Sequence, residues 1–278
     1  MSFTFEILKR LRLTNAPRAG SSLTMTCHSR LALGCAILFA LTTPSGAITG
    51  SRSAPSETIA RSVVTIIGSR GTVCTGSLIA PNIVLTAGHC IAPGTSYRVI
   101  DSSAQPPLLI TAQKATAHPQ FNMQTMLAHR ATADVALLLL PKSVPNKSPA
   151  TLGLPRIPIQ PGSRFTVAGV GVTRSGSDDG VGTVRAANLA VTGNPGTLQI
   201  RLVDALTQNK TAGMGACTGD SGAPAFEDQD GKPVIAGVVS WSTGANNSDG
   251  CGGLTGVTPL TLYRDWILKT AREWGAKL

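Results

Sequence analysis

Six prolines fall within the 21 residues from Pro141 to Pro161. A proline lacks the N–H that a ladder needs and its ring fixes φ, so this stretch is neither a strand nor a helix interior. It divides the chain into two sets of short runs. Before it, Ser62 to Ile67, Val73 to Ile79, Ile83 to Thr86, Tyr97 to Ile100, Leu108 to Lys114 and Val135 to Leu140 are apolar or β-branched and separated by Gly, Pro and Ser. After it, Arg164 to Val170, Thr183 to Val191, Thr197 to Val203, Val234 to Trp241 and Leu254 to Thr258 repeat the pattern. Such spacing predicts a barrel or a sandwich on each side of a linker. The one convincing helix is at the end: Leu262, Trp266, Thr270 and Trp274 recur every four residues, with Tyr263 and Ile267 on an adjacent stripe. The periodicity predicts an amphipathic helix from Leu262 to Trp274, packed against the second unit.

Composition agrees with two packed units. With 42% hydrophobic and 14% charged residues among 278, the chain has ample core and is not disordered. The net charge is +10, but residues 1 to 47 hold five Lys/Arg and one Glu, which leaves 19 cations against 13 acids, about +6, in the rest. Those cations are scattered, as Arg52, Arg61, Arg70, Arg98, Arg156 and Arg164 illustrate, with few aromatics between them. They form a solvated basic surface, and nucleic acid is not expected as a partner.

The leader sets the compartment. Leu31 to Leu41 is an eleven-residue apolar core preceded by Arg30 and followed by Thr42-Thr43-Pro44-Ser45-Gly46-Ala47. It reads as a secretory signal peptide, too short for the roughly 20 residues that a bilayer requires. Translation from Met25 would give it a conventional basic segment. The expected organisation is a leader over 1–47, a first unit with linker over 48–158 and a second unit with the helix over 159–278. The expected location is extracellular or periplasmic, with no membrane attachment once the leader is removed. Cys27 and Cys35 leave with it, so Cys74, Cys90, Cys217 and Cys251 remain, enough for two disulfides in any of three connectivities. Their spacings match no close pairs of zinc ligands, and no metal is expected.

The chemistry concentrates in Cys217-Thr218-Gly219-Asp220-Ser221-Gly222-Ala223-Pro224. A serine hydroxyl needs a base to take its proton and donors to stabilise the oxyanion that follows. Gly219 and Gly222 allow a tight turn and let a substrate carbonyl approach the N–H groups of Gly219 and Ser221. Of the four histidines, only His89 has a distinctive setting, Ile83-Val84-Leu85-Thr86-Ala87-Gly88-His89-Cys90, where an apolar run ends at a small-residue turn. His118, beside Pro119, reads as a surface histidine, and His129, before Arg130, is poorly placed for a base. A third partner should be a buried carboxylate that orients the imidazole. Asp134 leads directly into the apolar run Val135 to Leu140, where solvation does not explain an acid.

At these three stretches the sequence resembles the chymotrypsin/trypsin family of serine peptidases, with His, Asp and Ser in that chain order. Gly88 stands where the family usually has alanine, and Ala223 where it has glycine. The resemblance runs from about Ile48 to the C-terminus and suggests a secreted, bacterial-type member. It implies an all-β fold: two antiparallel six-stranded β-barrels, the active site between them, and a C-terminal α-helix. It implies a serine endopeptidase with His89, Asp134 and Ser221 as the triad and the N–H groups of Gly219 and Ser221 as the oxyanion hole. No cofactor is required.

The resemblance also implies disulfides Cys74–Cys90 and Cys217–Cys251. Ser240 would bond near Asp134, while the Ser240-Trp241-Ser242 backbone pairs with extended substrate. Gly215, with Ala216 beside it, would set the base of the primary pocket, Gly256 its far wall, and Ser242 would narrow its entrance. A pocket without an acid favours small to medium apolar residues. A new N-terminus at Ile48 would insert beside Asp220. The partners implied are a polypeptide substrate and a protein inhibitor, the enzyme itself being a monomer. Two other readings use the same residues: a catalytically silent relative that binds a partner, and an esterase.

Overall fold

The computed structural model describes residues 48–50, 54–92, 94–102, 104–155 and 159–278. The leader expectation, including Met25, lies outside them. Seven strands build the first sheet: β1 Val63–Gly68, β2 Val73–Ala80, β3 Ile83–Thr86, β4 Tyr97–Asp101, β5 Leu108–Thr111, β6 Lys114–Ala117 and β7 Ala136–Leu139. They are antiparallel in the order β5-β4-β1-β2-β3-β7-β6. One strand was expected over Leu108 to Lys114, and it arrives as two pieces. Ala112 N–H still donates to the Tyr97 carbonyl on β4, whereas Gln113 N–H donates to the Leu139 carbonyl on β7. Within two residues the chain passes from one edge of the sheet to the other, so the ring closes covalently. Leu78, Ile83, Val84, Leu85, Leu137 and Leu138 are fully buried. With no solvent face left, the 135–140 run has no reason to alternate polar and apolar residues.

The second sheet is a closed six-stranded antiparallel barrel, β10-β13-β12-β11-β8-β9. Its strands are β8 Arg164–Gly169, β9 Arg185–Thr192, β10 Ile200–Val203, β11 Pro224–Gln229, β12 Lys232–Ser242 and β13 Thr255–Pro259. Strand β11 has no counterpart in the sequence reading because it opens on a proline and carries Glu227 and Asp228. A proline is tolerated as the first residue of a strand, and Asp230-Gly231, both at positive φ, make the tight turn into β12. Phe165, Val167, Leu189, Ile200, Leu202 and Val257 fill the interior. The proline-rich linker lies along this barrel: Leu152 bridges Ile235, and the Gln229 amide exchanges two hydrogen bonds with the Leu154 backbone.

Among the described residues there are three α-helices: α1 Glu57–Ser62, α2 Met123–Leu127 and α3 Arg264–Glu273. The first two are too short to show a period and were not expected; Ser56 and Asn122 cap them by accepting N–H bonds. Helix α3 departs from expectation in its packing. Leu262 is exposed, and the buried side chains are Ile267, Thr270 and Ala271. Tyr263 and Ile267 join the core cluster built mainly from the first sheet. His118 is half-buried rather than on the surface, packing edge-on against Tyr263 at 5.1 Å and Trp266 at 5.0 Å. Burial pushes its imidazole below the usual histidine range. The C-terminal helix therefore clasps the first barrel, and the expectation that it packs on the second is corrected. Among the described residues, no helix is long and apolar enough to cross a membrane.

Candidate active site

Strand β3 ends at Thr86, and the chain turns through Ala87 into a single 3-10 turn, Gly88–Cys90, that presents His89. Cys90 is joined to Cys74 on β2 by a disulfide, which anchors the turn from below. Asp134, one residue before the apolar run that becomes β7, is fully buried. Its Oδ1 accepts the His89 backbone N–H at 2.8 Å, and its Oδ2 lies 2.8 Å from His89 Nδ1. Ser240 Oγ donates to the same Oδ2 at 2.5 Å. Three donors thus offset the cost of burying this carboxylate. With Nδ1 occupied as a donor, the neutral imidazole keeps Nε2 as an acceptor. Gly88 has a local cause: a Cβ there would come within 2.9 Å of the Phe121 ring and 3.2 Å of Asp134 Oδ1.

The serine loop sits between β10 and β11 of the second barrel. Gly219 and Gly222 have φ of +93° and +81°, where a side chain would be strained. Gly222 packs so closely on the Thr75 carbonyl, the Thr86 hydroxyl and the Ala87 N–H that no Cβ would fit. Ser221 is thereby set against the turn that carries His89. The Thr218 carbonyl accepts from Val172 N–H at 2.9 Å, which fixes the peptide bearing the Gly219 N–H. Neither the Gly219 nor the Ser221 N–H has an acceptor among the described residues. Ala223 is fully buried in the core of the second barrel, so its methyl is accommodated where the family has glycine.

Asp220 is fully buried, and its carboxylate accepts from Gly171 N–H at 2.8 Å and Cys217 N–H at 2.9 Å. Burial pushes its pKa up to about 6, against the opposing pull of those two bonds and of the Arg185 guanidinium. Gly169 and Gly171 leave no room for a Cβ because this carboxylate occupies it. Ile48 is fully buried in the second barrel's core cluster, which also holds Ala216 and Ala223, while Thr49 pairs with Gly215.

The residues expected to line a specificity pocket are placed by strand register. Trp241 pairs with Gly256 and Ser242 with Thr255, after an irregularity between Val239 and Trp241. The Trp241 indole lies directly on Gly256, so closely that no Cβ would fit. Gly256, the anticipated far wall, is therefore covered. Thr255 is fully buried beside it, and its hydroxyl accepts the Ala216 N–H at 3.0 Å. A Cβ on Gly215 would meet Gly252 Cα at 3.1 Å and the Gly253 carbonyl at 3.3 Å, and a disulfide joins Cys217 to Cys251. His129 stacks on Trp241, ring to ring at 4.5 Å, with the Arg201 guanidinium 6.0 Å from the same indole. Sequence reasoning missed Thr255 because the irregularity shifts the pairing. Thr75 and Val172 escaped it because their roles lie in bonds to backbone atoms far along the chain, across the barrels for Thr75 and within the second barrel for Val172.

Cys74, His89 and Cys90 bring one ligand atom each within 4.8 Å of one another. The two sulfurs are consumed by the disulfide and offer no thiolate to a metal.

Comparison with known proteins agrees with this architecture. The family model described as Trypsin matches residues 48–267. Trypsin 5G1 of Aedes aegypti is 32% identical over 241 residues, covering 80% of this chain and 84% of its own. Human kallikrein-8 is 31% identical over 218 residues, covering 71% and 76%. Among solved structures, human heparin binding protein superposes with a TM-score of 0.63 at 24% identity, over 83% of this chain and 99% of its own, a likeness of fold. The chain belongs to the trypsin family. Within that family it is a serine endopeptidase, a hydrolase whose substrates are polypeptides. The two sequence relatives come from an insect and a human, and lend no support to a bacterial-type member.

Proposed function

We propose that Ser221, His89 and Asp134 form the catalytic triad of this peptidase. Ser221 Oγ attacks the scissile carbonyl while His89 Nε2 takes its proton. The N–H groups of Gly219 and Ser221 hold the oxyanion, and collapse of the tetrahedral intermediate expels the amine with the proton that His89 returns. Water then enters by the same route and releases the acyl group. The observation that carries the reading is the buried Asp134 carboxylate, bonded at once to the His89 N–H, His89 Nδ1 and the Ser240 hydroxyl. It fixes the tautomer and stabilises the imidazolium that forms. A silent binding relative has no use for such an arrangement, and an esterase would favour an ester over its matched amide beyond their chemical difference. Because the residues act as a unit, Ser221→Ala, His89→Ala and the double variant should each lose about 10⁶-fold in kcat. A His89→Ala protein with more than a tenth of wild-type turnover would sink the assignment.

The primary pocket is read as small and neutral. Gly215 and Ala216 form its base, Ser242 its entrance, and Thr255, in place of Gly256, narrows its wall. Small apolar residues are the preferred acyl-side residues, and the backbone of Ser240, Trp241 and Ser242 pairs with extended substrate. A peptide library cleaved mainly after Arg or Lys would refute this pocket.

Activation is read as a cut after Ala47 during export, which frees an ammonium on Ile48 to pair with Asp220. Two observations support it. Asp220 is buried with backbone donors but holds its proton up to about pH 6, so a cation beside it would be favoured. In the uncut chain Ile48 has φ +52°, a left-handed conformation that costs a β-branched residue on the order of 1–3 kcal/mol. Cutting removes the preceding carbonyl that creates that clash. The mature enzyme is read as a secreted monomer, without nucleic-acid or membrane binding, and open to a protein inhibitor that enters as substrate does.

A further inference from the structure

We infer that Thr75 is a positioning residue for oxyanion stabilisation, a role that rests on the triad reading above. Thr75 belongs to β2 of the first barrel and is fully buried. Its hydroxyl donates to the Gly219 carbonyl at 2.8 Å and accepts the Val170 N–H at 3.2 Å. Its own N–H donates to the Ser221 carbonyl at 2.8 Å, and its carbonyl accepts the Thr86 hydroxyl at 2.8 Å. One residue thus ties together the strand that leads to His89, the end of β8 and both ends of the segment that carries the oxyanion donors.

The consequence follows from the peptide planes of the loop. Gly219, at φ +93° and without a Cβ, has two soft dihedrals that sterics restrain weakly. The plane before it is held by the bond from Val172 N–H to the Thr218 carbonyl. From outside the loop, the plane after it is held by the Thr75 hydroxyl; its other bond, Asp220 N–H to the Cys217 carbonyl, lies within the loop and moves with it. Removing the hydroxyl frees the second plane and leaves the Gly219 carbonyl and the Val170 N–H unpaired in a dry interior, where such groups seek new partners. Rotation of that plane alters ψ of Gly219 and φ of Asp220, and through them turns the next peptide, which carries the Ser221 N–H, away from the oxyanion. The oxyanion develops only after attack, so this loss falls on the transition state and spares ground-state binding.

The test compares Thr75→Val, which keeps the shape and removes the hydroxyl, with Thr75→Ser, which restores it. Active sites are counted by stoichiometric fluorophosphonate labelling, so that a smaller folded fraction is separated from a slower site. Per labelled site, Thr75→Val should lose about 10- to 100-fold in kcat, below the cost of deleting a donor outright, with KM within about threefold of wild type. Inhibition by a peptide trifluoromethyl ketone, whose adduct carries the oxyanion, should weaken by the same factor as kcat/KM. Thr75→Ser should return both to within about threefold of wild type. Should Thr75→Val not fold, Thr75→Ala carries the same expectation. Wild-type kcat per site in the hydroxyl-free variant overturns the inference, as does a loss confined to the labelled fraction or no rescue by serine. If these occur while Ser221→Ala and His89→Ala are inactive, the triad stands and only the role of Thr75 falls.

Discussion

The two halves of the site are fixed by different kinds of bond. On the His89 side, side chains supply the anchors: a disulfide pins the turn, and a buried carboxylate collects three donors, one of them a backbone N–H. On the side proposed to hold the pocket, placement is set by which residue of β13 faces which residue of β12, and by an indole laid over a glycine. The first half is decided by residue identity and the second by register. Substitutions should therefore act steeply on turnover in the first half and shift preference or stability elsewhere.

The sharpest contrast comes from Asp134→Asn. The amide can no longer hold the His89 tautomer and accept from Ser240 in the same way, so kcat should fall about 10⁴-fold while the fold persists. Steady-state kinetics on a peptide amide measure this. A loss under tenfold would mean that His89 is oriented by something other than Asp134.

Next in size is the N-terminus. A protein that retains an uncleavable extension before Ile48 should lose about 100-fold or more in turnover relative to one beginning at Ile48, since a buried carboxylate without its partner costs about 3–5 kcal/mol. Equal turnover would refute the activation reading. The two forms should also differ in pH dependence. In the extended form the native pKa of Asp220, about 6, lies above its usual 3.8. The folded chain then holds a proton that the unfolded chain has lost. The contribution of Asp220 to stability is full below about pH 4 and is lost as pH rises to about 6, on the order of 3 kcal/mol. Thermal melts at pH 4.5 and 7 should show the decline in the extended form and lose it in the form beginning at Ile48.

A smaller effect is expected on the pocket side. Thr255→Gly should widen the wall and raise kcat/KM for a larger apolar acyl-side residue over alanine by about tenfold, the scale of one or two methylenes. Profiles indistinguishable from wild type would mean that Thr255 does not line the pocket. Smallest for activity is Gly88→Ala, which drives a methyl into the Phe121 ring. It should cost about 1–3 kcal/mol of stability, and Phe121→Ala should recover part of it in a double-mutant cycle. Additive losses would show that Phe121 is not the obstacle.

The same division explains what could be read in the chain beforehand. His89, Asp134 and Ser221 announce themselves because each departs from its local run: an imidazole after a small-residue turn, an acid before six apolar residues, a serine between glycines. The linker and most strands follow from proline and β-branched spacing. Strand β11 was hidden by its proline and two acids, and the break in β5–β6 by the absence of any Gly or Pro between Leu108 and Lys114. Helix α3 was legible as a helix but not in its packing, because an amphipathic stripe does not name the surface it covers. Thr255 and Thr75 were invisible for a common reason: their partners are backbone atoms more than 35 residues away.

The central claim is that Ser221 is a nucleophile activated by His89. The direct measurement is labelling of the purified protein with a fluorophosphonate, followed by peptide mapping by mass spectrometry. A single adduct on Ser221, lost in His89→Ala, is the predicted result. An adduct on another residue, or undiminished labelling of Ser221 in His89→Ala, would contradict it.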